Sequence, residues 1–225
     1  MSSDVRDTSV PTALEAFGRG DPVLVHDADS REDETDIIYP ADAVDADAVA
    51  RLRNDAGGLI CVALSAAVAD AFDLPFLAAE LSHPASEDIE LAYGDRSSFS
   101  LPVNHRETRT GITDRDRALT ISELAAAGAH PEAVTFADRF HAPGHVPLLR
   151  AASGLFATRR GHTELSVAMA MATGRAPVAV VCEMLDDDTG EALPTPQARA
   201  YGRNNDLHFL EGGTVIDALQ DDGTV

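Results

Sequence analysis

The sequence contains no lysine: all 17 basic residues are arginine, set against 38 acids for a formal net charge of -21. That absence excludes whole mechanisms. A Schiff-base aldolase, a lysine-anchored pyridoxal phosphate and a Walker-type P-loop all need the amine. Cysteine is scarce too. Cys61 and Cys182 lie in separate apolar runs and form no CxxC pair, so buried free thiols are expected rather than a thiolate zinc site. No apolar run approaches the ~18–20 residues that span a bilayer. The opening MSSDVRDTSVPT lacks the cationic start and apolar stretch of a signal peptide. Clusters of Lys and Arg, which phosphate backbones and anionic membranes attract, are missing as well. A soluble cytoplasmic protein with no nucleic-acid partner and no membrane partner is expected.

The acids are spread along the whole length rather than gathered in a tail. High net charge keeps a protein soluble at the cost of self-repulsion. A salt-rich cytoplasm relieves that cost, because the Debye length falls to ~3 Å at 1 M salt. The composition therefore suggests a halophilic source.

What is present is globular. Hydrophobic residues make up 44% of 225, enough for one domain spanning 1–225 with a core of its own. Helices are expected over 11–19 with Gly20 as the stop, from Asp42 or Asp45 to Arg53, and over "SAAVADAF", "ALTISELAAAG", "HTELSVAMAMATG", "TPQARAYGRNN" and "TVIDALQ". Strands are expected at "PVLVHD", "DIIYP", "LICVAL", "SSFSLPV" and "PVAVVCEML", with "HVPLLRA" as a strand edge. "PVAVVCEML" is apolar on both faces and so central. "NHRETRTGITDRD" reads as polar loop. The intermingled elements give an α/β fold of α+β type: a single layered domain, its mixed β-sheet covered by helices on both faces.

Three segments carry chemistry. "DADSREDETD" puts six acids and one arginine at the edge of a strand; solvated surface, a divalent-cation site and a docking place for a cation are all open. "RRGHTEL" offers Gly161 in the turn and Thr163 as the cap of the helix that follows. Backbone N–H groups and the helix dipole make such a start an anion site, with Arg159 or Arg160 as a clamp; an ordinary capped helix with exposed arginines is the plain alternative. His162 stands where a ring nitrogen could face the same anion or a metal. "APGHVP" presents His145 after a Pro-Gly turn, either as a working imidazole or as a surface histidine. Glu183 ends an apolar run, where a carboxylate is costly unless paired or used, and is an acid–base candidate.

"SREDETDIIYP", "GLICVAL", "TGITDRDRALTI", "PGHVPLLRA", "RRGHTE" and "VAVVCEMLDDDTG" resemble, in this order, the 3,4-dihydroxy-2-butanone 4-phosphate synthase family of riboflavin biosynthesis. The resemblance covers roughly residues 11–217. It implies conversion of D-ribulose 5-phosphate to L-3,4-dihydroxy-2-butanone 4-phosphate and formate with Mg²⁺ (or Mn²⁺), two ions per site and no organic cofactor. It implies Glu32 and His162 as metal ligands, Arg31 and Asp36 as sugar contacts, and residues 159–163 (Arg159, Arg160, Gly161, His162, Thr163) around the phosphate. Glu32 and Glu183 would also touch the substrate, with His145 and Glu183 as the acid–base pair. It further implies a homodimer with active sites at the interface. Two positions depart from the family pattern: Thr35 replaces a glycine in R-E-N-E-G-D, and Ala142 replaces the arginine before P-G-H. Weighed against this are a non-catalytic or nucleotide-binding relative on the same fold, and a form fused to GTP cyclohydrolase II. The charge of -21 and the absence of a basic groove count against the first; the second would need a cysteine zinc cluster and more chain.

Overall fold

A computed structural model describes residues 9–27, 31–86, 96–221 and 223. Part of the acidic stretch, 28–30, and part of the sparsely assigned stretch, 87–95, lie outside the described residues. The strands are β1 (Val23–His26), β2 (Thr35–Pro40), β3 (Cys61–Leu64), β4 (Phe99–His105), β5 (Phe140–Arg150), β6 (Val178–Glu183) and β7 (His208–Glu211). The helices are α1 (Val10–Arg19), α2 (Ala46–Asp55), α3 (Ala66–Ala71), α4 (Leu77–Glu80), α5 (Asp114–Ala129), α6 (Phe136–Arg139), α7 (His162–Ala172), α8 (Thr195–Asn204) and α9 (Gly212–Asp221).

One mixed sheet runs in the order β4-β5-β3-β6-β2-β1-β7. β1 with β7 and β3 with β5 are parallel, and the other neighbours are antiparallel. Strand side chains alternate between the faces, and both faces are apolar. Leu24, Ile37, Val62 and Val180 pack with α2, α3, α5 and α8 on one side. Val25, Ile38, Cys61 and Val181 pack with α1, α7 and α9 on the other. β6 sits at the centre, as its unbroken apolar run requires. α7 is buried on nearly all sides, which is why its sequence is apolar all round rather than amphipathic.

Several boundaries differ from the sequence reading. Gly161, not Thr163, is the N-cap of α7, and the Glu164 side chain accepts from its backbone N–H. Thr163 lies inside the first turn. "HVPLLRA" is no edge: its strand begins at Phe140 and lies between β3 and β4, while β4 forms the margin. Asn104 and His105, read as loop, complete β4. β7 and the short α4 and α6 escaped notice because four residues hold too little periodic pattern. Thr35 is fully buried and extended at the head of β2, not in the left-handed region, so a β-branched residue suits the position.

The Pro-Gly segment is not a turn. Val103 pairs with Val146 while the adjacent Asn104 pairs with His141, so residues 142–145 bulge out of β5. Gly144 makes this possible. A Cβ there would lie 2.0 Å from the Val103 carbonyl carbon.

Candidate active site

Asp36 and Glu183 are register partners where β2 meets β6. Arg31, Glu32 and Glu34, just ahead of β2, border them, as do His162 and Thr163 at the N-terminus of α7. Together these enclose a cavity of about 410 Å³, lined by Arg31, Glu32, Asp36, Arg159, His162 and Glu183, with Cys61, Phe99 and Leu149 in its apolar wall.

Asp27, buried just past β1, shapes the acidic connection. Its two carboxylate oxygens accept the backbone N–H groups of Glu32 and Glu34, each at 3.3 Å. Glu32 is thereby held with Oε2 3.4 Å from His162 Nδ1. Asp36 Oδ1 approaches the same nitrogen at 3.5 Å. On the far side of the ring, Nε2 lies 3.2 Å from the Val25 carbonyl. A carbonyl only accepts, so Nε2 carries the proton and Nδ1 is turned toward the carboxylates. Burial disfavours charge on His162, but Asp36, Glu32 and Asp27 outweigh it and push its pKa up to about 9.

The carboxylates respond in kind. Burial raises Asp36 well above the usual range, with Glu183, Glu34 and Glu32 adding and His162 opposing. Burial also raises Glu183, with Glu32 adding; its backbone hydrogen bond and His162 oppose. Glu34 rises through burial, then Glu183 and Glu32. So many acids around one cavity repel one another and call for positive charge.

The donor set fits a divalent cation. One ligand atom each from Asp27, Glu32 and His162 lies within 4.8 Å of the others, and Asp36 Oδ1 is buried without a hydrogen-bond partner. The Val25 carbonyl already orients the His162 ring through Nε2, as the outer partners of metal-binding histidines do. The sequence reading missed Asp27. Its signal, an acid directly after an apolar strand, was lost among its acidic neighbours.

The cationic side is built around Glu164, which is fully buried. Its Oε1 accepts the Ala152 N–H at 2.9 Å; its Oε2 takes Arg159 Nη1 at 2.9 Å and the Gly161 N–H at 3.3 Å. Gly161 has no side chain for a reason. A Cβ there would stand 2.5 Å from Arg31 Nη1 and 2.8 Å from Arg159 Nη1. Two guanidinium groups thus converge on the start of an 11-residue helix, where backbone N–H groups favour an anion. Arg160 does not join them: it is exposed, its Nε donating to the Phe156 carbonyl at 3.3 Å.

His145 stands apart. It is exposed on the bulge, does not line the cavity, and lies four residues beyond Leu149 along β5. One chain therefore gathers Arg31, Glu32, Asp36, Arg159, His162, Thr163 and Glu183 about one cavity, and leaves Arg160 and His145 outside it.

A cavity that sets a carboxylate–imidazole cluster beside a guanidinium-flanked helix start defines an enzyme site for a small anionic substrate. Residues 11–218 match the family model described as 3,4-dihydroxy-2-butanone 4-phosphate synthase, and the chain belongs to that family. A Methanosarcina mazei protein of that name is 46% identical over 93% of this chain and 90% of its own. A Methanothermobacter thermautotrophicus protein of the same name is 44% identical, covering 94% and 96%. A solved 3,4-dihydroxy-2-butanone 4-phosphate synthase in complex with two magnesium ions superposes with a TM-score of 0.82 at 30% identity, covering 97% of this chain and all of that one.

Proposed function

We propose that this protein, as a single domain, converts D-ribulose 5-phosphate to L-3,4-dihydroxy-2-butanone 4-phosphate and formate, supplying the four-carbon unit of riboflavin. The observation that carries the reading is the junction that Glu32 makes in the cavity wall: its Oε2 lies 3.4 Å from His162 Nδ1, while its Oε1 lies 3.5 Å from Arg31 and 3.8 Å from Arg159. A sugar phosphate brings a complement to each kind of group, an anion for the guanidinium groups and a row of hydroxyls and a carbonyl for a bound cation.

In this reading the phosphate rests on the first turn of α7, between Arg159 and Thr163, with Arg31 beside it. Asp36 and Glu183 face the sugar oxygens. Glu32 and His162 would hold Mg²⁺ or Mn²⁺, two ions as in the magnesium-bound relative, which when bound would supply polarisation of the substrate's oxygens. Glu183, lifted by burial toward the working pH, takes and returns protons. No organic cofactor is needed.

His145, the other half of the acid–base pair, is exposed and away from its own chain's cavity. A homodimer in which the β5 bulge of one subunit reaches the cavity of its partner supplies it, with the active sites at the interface. The cytoplasm of a salt-rich cell suits the acidic surface. The test is direct: purified protein is incubated with ribulose 5-phosphate and Mg²⁺, and formate is measured. Release that stops with EDTA is expected. No release, or undiminished release in EDTA, would overturn the reading.

A further inference from the structure

We infer that Asn104 is a positioning residue that fixes the tautomer of His145, leaving the neutral ring with its proton on Nε2 and its lone pair turned away from the substrate. The inference rests on the reading that His145 works on the substrate, and it divides the acid–base pair: His145 donates and Glu183 accepts.

The argument is a count of donors and acceptors. Asn104 is buried near the end of β4, at the step where residues 142–145 bulge from β5. Its Oδ1 accepts the His145 backbone N–H at 2.8 Å. A backbone N–H only donates, so this bond fixes which way the amide points. The amide nitrogen Nδ2 is then set 3.1 Å from His145 Nδ1. An amide nitrogen also only donates, so Nδ1 must accept and the ring proton must sit on Nε2. In the other tautomer, Nδ1–H would meet Oδ1 at 3.3 Å, an oxygen already engaged. The buried Nδ2 hydrogens would then face a proton instead of a lone pair.

The amide has little room to swing. Gly111, at φ 82°, lies so close that a Cβ on it would stand 2.1 Å from Asn104 Nδ2. The loop before α5 thus closes on the amide from the side opposite the bulge.

The consequence is chemical. A neutral imidazole with its Nδ1 lone pair bound by Asn104 cannot take a proton from the substrate. It can present Nε2–H to an oxygen on which negative charge develops, strengthening as that charge grows. Proton acceptance then falls to Glu183.

Two variants separate this role from a structural one. Asn104→Asp keeps an oxygen for the His145 backbone N–H but has no donor for Nδ1, and its carboxylate draws the ring proton to Nδ1. Asn104→Ala removes both bonds. In ¹⁵N-labelled protein without substrate, at a pH where the ring is neutral, the two-bond nitrogen–proton couplings of His145 report the tautomer. We expect the proton on Nε2 in the parent and on Nδ1 in Asn104→Asp. kcat should fall about 10- to 100-fold in both variants, the scale for groups that orient another, with KM moving far less. A proton on Nδ1 in the parent would overturn the inference, and so would an Asn104→Asp enzyme with unchanged kcat. If the variants fail to fold, the parent spectrum decides alone. Lack of formate release with Nε2–H observed would sink the assigned reaction and leave the tautomer standing.

Discussion

Glu183 and His162 show how one cavity sets the protonation of each group it holds. Glu183 is raised because burial disfavours its charge, with Glu32 adding. In the proposed reaction Glu183 transfers protons, and Glu183→Gln should then lower kcat by about 10²-fold or more. Steady-state kinetics on ribulose 5-phosphate check this, and a raised KM with intact kcat would make Glu183 a binding group. His162 gives a stability signature. Its folded pKa of about 9 stands above the usual value of about 6.5. The charged ring therefore contributes stability that is complete below pH ~6.5 and lost as pH rises through about 9. Asp36 and Glu183, also raised, act in the same sense, costing stability as each is forced to ionise. In EDTA the melting temperature should fall between pH ~6.5 and ~9; a flat or rising midpoint across that window would contradict the pairing.

At the scale of the element, the β5 bulge is the feature with most at stake. Gly144→Ala drives a methyl into the Val103 backbone, and backbone cannot yield as a flexible side chain can. A loss of about 3 kcal/mol is expected, read by urea denaturation; a change below ~0.5 kcal/mol, the range of surface substitutions, would show that the strands separate freely. The bulge also marks where sequence reading runs out. Pro and Gly speak for a turn when only their neighbours are weighed, and the pairing of Val103 with Val146 is a contact between distant residues that no local pattern announces. The helices and strands with a strong period, such as α1, α2 and β6, were legible from spacing and caps; Asp45 does cap α2. The start of α7 was legible as a glycine before a helix. Asp27 and Glu164 were not, because what distinguishes them is which backbone N–H groups they face.

For the whole molecule, the absence of lysine and the surplus of acids lead to an expectation about salt. Repulsion among scattered carboxylates is screened by salt, so the melting temperature should be higher in multimolar KCl than in ~0.1 M. An unchanged or lower midpoint would remove the halophilic reading. The proposed homodimer makes a second prediction. Glu32→Gln and His145→Asn should each be nearly inactive alone. Mixed and allowed to exchange subunits, they should recover about a quarter of parental sites, since half of the dimers carry one intact site. No recovery in mixtures shown to contain mixed dimers would place His145 and Glu32 in the same subunit's site.

The fully buried Glu164 ties the Ala152 N–H, the Gly161 N–H and Arg159 to one carboxylate. The chain between 152 and 161 is thereby a closed ring whose ordering cost is met once, during folding, and not again at each encounter with substrate. The proposed phosphate seat then keeps its form when emptied. Successive turnovers then need no reassembly of this loop, and whatever paces product release must be sought elsewhere in the molecule.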